Sequence, residues 1–96
     1  MIRLRFVYEK VTKYHGIKKQ VKKFYEEFSE FKQEMLQMLW KEEDACIERM
    51  QSEAADLINM ILQLVVYFGG SIECIMLETT RKMNREVNRI DSGHYD

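Results

Sequence analysis

Two pairs of acidic residues in this chain stand three positions apart: Glu27 with Glu30 and, after 22 intervening residues (31–52), Glu53 with Asp56. At that spacing on a helix the two side chains of a pair are neighbours. Four carboxylates brought to one point repel, and a hard divalent cation is the usual remedy. Mg²⁺ or Mn²⁺ takes oxygen ligands and keeps positions open for water and phosphate oxygens. Di-iron bundles use a Glu-x-x-His motif instead. Here the third residues on are Glu30 and Asp56, and His15 and His94 lie outside both acidic stretches. The all-oxygen set argues for magnesium over iron. Acidic residues three apart are equally a feature of ordinary solvated helices, and Glu26 with Glu30 would serve that purpose as well.

The second pair opens the most apolar stretch of the chain, Glu53 to Phe68. Its polar members Glu53, Asp56, Asn59 and Gln63 fall on one helical stripe, about 120° wide. The rest is mainly large and apolar, including Leu57, Ile58, Met60, Ile61, Leu62 and Leu64. Such a helix belongs in a core, where carboxylates are costly unless paired, hydrogen-bonded or metal-bound. Asn59 and Gln63 read either as satisfied buried amides or as the exposed edge of that helix. Further on, Glu78, Lys82, Arg85 and Arg89 make a continuous line at i, i+4, i+7 and i+11. Its cations could reach a triphosphate, arginine by forked contacts. Glu78–Lys82 and Lys82–Glu86 are also ordinary surface pairs.

Three long helices must position these groups. Val21, Phe24, Phe28, Phe31, Met35 and Leu39 recur at spacings of three and four and predict a helix from about Ile17 to Trp40. Lys41–Asp44 reads as a connection, with Asp44 a candidate N-cap for a helix from about Ala45 to Phe68. Gly69-Gly70 ends it, and Ser71 can cap a last helix over Ile72–Ile90. Ile72, Ile75, Met76, Thr79, Met83, Val87 and Ile90 should face the core there. Before Gly16, the alternation from Ile2 to Phe6 fits a strand, whereas Leu4, Val7, Tyr8 and Val11 fit a short helix. The expectation is an all-α bundle of three main helices, with the N-terminal segment a candidate short fourth. Residues 1–96 form one domain: a short segment 1–15, a helical core 16–90 and a flexible tail 91–96.

Composition agrees. Ninety-six residues without proline, 32% of them charged, describe one helix-rich domain rather than a sandwich or a disordered chain. A chain this short is marginal alone, so self-assembly is expected. The net charge of −1 conceals an asymmetry. Residues 1–23 carry eight Lys/Arg against one acid, residues 24–60 three against ten, and residues 61–96 four against five. An acidic middle between basic flanks suits a cation with a polyanionic ligand, and equally suits plain helix–helix charge pairing. Cys46 and Cys74 have no CxxC spacing and fit a reduced compartment. The first residues are too charged for a secretory signal, and Leu57–Phe68 is shorter than the roughly 20 residues of a membrane span. The expected location is the cytoplasm, with no membrane partner. The basic first 23 residues carry no nucleic-acid motif.

Taken together, Gly16-Ile-Lys-Lys-Gln20, Glu26-Glu27-Phe-Ser-Glu30, Glu53-Ala-Ala-Asp56-Leu-Ile-Asn59 and Lys82-Met-Asn-Arg85-Glu-Val-Asn-Arg89 resemble the MazG-like all-α nucleoside triphosphate pyrophosphohydrolases. That family's pattern is ExxE, a variable gap, ExxD and a basic segment on the last helix. The likeness covers roughly residues 16–90. It implies a homodimer or homotetramer with a four-helix-type core, and Mg²⁺ (or Mn²⁺) held between two helices. It implies hydrolysis of a (deoxy)nucleoside triphosphate to monophosphate and pyrophosphate. Glu27, Glu30, Glu53 and Asp56 match the metal ligands, with Glu27 or Glu30 orienting or deprotonating water. Lys82 and Arg89 match basic positions, while Arg85 and Asn59 are looser carry-overs for phosphate and substrate. Phe31 stands where the family usually has Leu, and Glu86 where many members have Asn. The alternative is a non-catalytic helical dimerisation module built on the same bundle.

Overall fold

The structure, a computed structural model, describes residues 2–96, with side chains from Leu4 onward. Four helices follow one another: α1 (Ile2–His15), α2 (Ile17–Leu39), α3 (Ile47–Tyr67) and α4 (Ile72–Asp91). The N-terminal segment is therefore a full helix, and the strand reading of its alternation fails. The side chains of Ile2 and Arg3, part of that alternation, lie outside the described residues. Among the described side chains of α1, Tyr8 and Thr12, one turn apart, are the buried ones, and the Thr12 hydroxyl donates to the Tyr8 carbonyl at 2.9 Å. A helical period thus buries what a strand period would have split between two faces.

Gly16 alone joins α1 to α2. Its φ of 86° and ψ of 145° are open to glycine and strained for any L side chain. The Gly16 amide still donates to Thr12 and its carbonyl accepts from Gln20, so both helices run up to the joint. α2, α3 and α4 each end in the same paired turn. Glu42, Gly70 and His94 donate back to Gln37, Val65 and Arg89, while Lys41, Gly69 and Gly93 donate to Met38, Val66 and Ile90. The last of these turns gives the tail, expected to lack local structure, a hydrogen-bonded turn. Ser71 caps α4 by accepting from the Cys74 amide at 2.9 Å. Asp44 does not cap α3. Its carbonyl is taken by the Arg49 guanidinium, and the helix starts later, from Cys46 at the N-cap.

α2 and α3 run antiparallel and form the main pair, with α1 laid across them, mostly on α3. α4 turns away from α3 through 119° and packs only lightly, on α3. The apolar core is correspondingly small: Tyr8, Leu62, Val66 and Ile72, with Ile75 against them. The stripe assigned to the core on α4 does not reach it beyond Ile75. Met76, Met83, Val87 and Ile90 are each more than half exposed. On α2, Phe28 and Leu39 are likewise more than half exposed. The radius of gyration is 16.5 Å, against about 12–13 Å for a compact chain of this length. The accessible surface of 7840 Å² exceeds that of a typical folded monomer of 11.6 kDa by about 2,000 Å².

Candidate metal centre

The seam between α2 and α3 is largely polar. From α2 it presents Gln20, Lys23, Glu27, Glu30, Glu34 and Gln37, which alternate at spacings of three and four. α3 faces them with Arg49, Glu53, Met60 and Gln63. At one end Arg49 pairs with Glu34 at 3.4 Å. In the middle, carboxylate oxygens of Glu27, Glu30 and Glu53 lie within 4.8 Å of one another.

Their environments differ. Glu27 is buried, at 5% exposure. One of its oxygens receives Lys23 Nζ at 3.0 Å, and the other, Oε2, is buried without a hydrogen-bond partner. Glu53 Oε2 is in the same condition. Glu30 is exposed and hydrogen-bonds to Glu53. Desolvation, then that hydrogen bond, then the charges of Glu30, Glu27 and Asp56 push the Glu53 carboxyl above the usual carboxylate range. Acids crowded this way favour sharing a proton or binding a cation. Two buried acceptor oxygens with no donor are the arrangement a hard cation would relieve.

Of the residues singled out in the sequence, Glu27, Glu30 and Glu53 come together. Asp56 does not join them: its side chain is exposed, one turn along, and it acts on Glu53 only through its charge. Asn59 is claimed by α1, accepting from the Tyr8 hydroxyl at 2.7 Å. Burial raises the Tyr8 phenol pKa. Lys82, Arg85 and Arg89 are not brought to the carboxylates. With α4 leaving at 119° and 1.5 Å per residue, they stand roughly 20–25 Å from Glu53. On α4 they remain among neighbouring acids: Arg89 is 3.9 Å from Glu86. The Glu78 carboxyl is lowered by its hydrogen bond to Arg81, with smaller contributions from Lys82 and Arg85.

Sequence reading missed the other end of the seam, a cleft of about 430 Å³ whose lining includes His15, Lys19, Gln20, Lys23 and Gln63. Gln63 lay on the polar stripe of α3, and Gln20 and Lys23 continue the Glu27–Glu30 ridge backwards. That ridge was the available signal, overshadowed by the aromatic stripe beside it. No protein-family model matches the chain, and no curated protein or solved structure matches it.

Proposed function

We propose that this chain is a divalent-cation-dependent nucleoside triphosphate pyrophosphohydrolase, cleaving a (deoxy)nucleoside triphosphate to monophosphate and pyrophosphate. The observation that carries the reading is the meeting of Glu27, Glu30 and Glu53 between α2 and α3, with two buried carboxylate oxygens left without donors. The all-oxygen donor set fits Mg²⁺ or Mn²⁺. The resemblance of the acidic motifs to the MazG-like enzymes supplies the substrate class.

In this reading Glu27, Glu30 and Glu53 hold the cation, and Asp56 joins by turning inward from the next helical turn. The bound cation supplies positive charge to offset the triphosphate oxygens. Glu27, buried and tied to Lys23, is the fixed anchor. Glu30, the exposed member, is open to water and would accept the proton of the attacking water. Asn59, held by Tyr8, lies one turn beyond Asp56 and would orient the substrate.

A second copy of the chain belongs to the reading. The surplus of about 2,000 Å² of surface exceeds the roughly 800 Å² per partner of a standard interface. Much of it lies on Met76, Met83, Val87 and Ile90 of α4 and on Ile58 and Ile61 of α3. The cations of α4 complement the acidic faces of α2 and α3, and a neighbouring copy is where Lys82, Arg85 and Arg89 would meet a triphosphate. A non-catalytic dimerisation module would account for the apolar surface but gives the carboxylate cluster no role.

The test is a panel of dNTPs and NTPs with Mg²⁺, scored for pyrophosphate, alongside Glu53→Gln. Wild type should release pyrophosphate, and the variant should lose turnover while keeping its helicity. Absence of pyrophosphate from every nucleotide would end the enzyme assignment.

A further inference from the structure

We infer that the cleft where α1, α2 and α3 meet is a phosphate-binding pocket that takes a pyrophosphate-type polyanion. It measures about 430 Å³, and no carboxylate is among its lining residues. Val11 and Met60 give it an apolar floor, and the remaining lining is polar. Lys19 and Lys23 supply two ammonium groups, and His15 stands at the same wall. Gln20 and Gln63 are at least nine-tenths buried, and Gln63 Nε2 has no hydrogen-bond partner. A buried amide donor left unpaired calls for an acceptor. Phosphate oxygens meet that need and the charge of Lys19, with Lys23, already paired with Glu27 at 3.0 Å, at the far edge.

The start of α2 adds a second, independent contribution. Its N-cap, Gly16, offers no side-chain cap, and its first turn has no acidic residue. The positive end of α2 therefore lies by the cleft without an anionic side chain in its first turn, its field partly offset by the C-terminal end of α1 at His15. The pocket also abuts the carboxylate group, because Lys23 lines the cleft and reaches Glu27 at 3.0 Å. The pocket stands on these observations alone. That its occupant is the phosphate tail of a nucleotide rests on the pyrophosphohydrolase reading.

The experiment is calorimetric titration of the full chain in EDTA with inorganic phosphate, pyrophosphate and a nucleoside triphosphate, with ¹⁵N NMR of the glutamine side-chain amides. Pyrophosphate should bind more tightly than phosphate and shift the Gln63 amide signal. Lys19→Gln, an exposed position that should not disturb folding, and Gln63→Leu should each weaken it roughly tenfold. A triphosphate that binds more tightly than pyrophosphate identifies the nucleotide as the source; equal affinities identify the free anion. Absence of pyrophosphate binding, unchanged affinity in Lys19→Gln, or shifts on surface lysines with Gln63 unmoved would each overturn the pocket. Glu53→Gln separates the two readings. In EDTA it should bind pyrophosphate as wild type does, whether or not the wild type hydrolyses any nucleotide.

Discussion

If a cation occupies the carboxylate cluster as proposed, the metal-free and metal-bound protein should respond to pH in opposite senses. In the metal-free chain the Glu53 carboxyl is raised by desolvation and by Glu30, so the folded state binds its proton more tightly than the unfolded state does. The stability this contributes is fully present below the ordinary carboxylate pKa and is lost as pH rises through the raised value. A cation competes with that proton, so its stabilising effect should grow over the same range. At a free Mg²⁺ concentration about 100 times its Kd, binding adds about 2.7 kcal/mol to folding. For a domain of this size that is roughly 10–20 °C in Tm.

The assay is thermal unfolding followed by circular dichroism, with Mg²⁺ or EDTA, at several pH values from about 5 to 7.5. The Mg²⁺ increment should widen with pH in wild type. Glu53→Gln removes one ligand and one crowded charge, so the increment should collapse and the metal-free Tm at neutral pH should hold or rise. Glu26→Gln, on an exposed glutamate outside the cluster, should behave as wild type. Equal Mg²⁺ increments in wild type and Glu53→Gln would refute the reasoning, because the cation would then be acting elsewhere on an acidic surface.

Three further outcomes follow from the same geometry. Met83 is 64% exposed and Val87 51%, so covering either one removes about 100 Å² per copy and contributes about 2–3 kcal/mol. Met83→Glu or Val87→Glu should therefore turn a wild-type dimer into monomers in sedimentation at micromolar concentration, and a wild type that sediments as a monomer would contradict the assembly. Mixing inactive Glu53→Gln with inactive Arg89→Ala should restore about a quarter of wild-type turnover, since half of randomly paired dimers carry one intact site. No recovery would place Arg89 outside the partner's site. Gly16→Ala forces a side chain into φ 86° and should cost about 1–3 kcal/mol, read as a lowered Tm with the Mg²⁺ increment unchanged.

Helix boundaries were legible because their signals are local. Gly69-Gly70 closes α3 and Ser71 opens α4 where the turn and cap chemistry indicate. Asp44 misled because α3 starts two residues later than the capping chemistry suggests, with Cys46 at the N-cap. The Glu27–Glu30–Glu53 meeting was legible as well, since short connections force α2 and α3 antiparallel. Asp56 shows where period runs out. Three residues advance a helix by about 300° rather than a full turn, so the spacing alone does not say which acid of each pair reaches the seam: Glu30 meets Glu53 and Asp56 does not. The direction of α4 was hidden for a different reason. An apolar stripe states that something covers it, not whether the cover comes from the same chain.

The two helices of the main pair make that last point physically. α2 carries an aromatic stripe, Phe24, Phe28 and Phe31, yet it turns toward α3 the neighbouring ridge of Gln20, Lys23, Glu27 and Glu30. A lone chain maximising apolar burial would rotate α2 to put the aromatics in the seam. That rotation would stabilise a monomer and disperse the carboxylates. The observed register instead leaves acids and amides in the seam, two of the acid oxygens without donors, and half-exposes Phe28. Departures from local consistency of this kind concentrate where a fold serves a ligand or a partner. Here the ridge that would hold a cation lies in the seam and leaves Phe28 half-exposed, surface that a second copy would cover together with the apolar residues of α3 and α4. Cation binding and self-association should therefore reinforce one another, with Mg²⁺ lowering the dimer's dissociation constant in wild type and leaving it unchanged in Glu53→Gln.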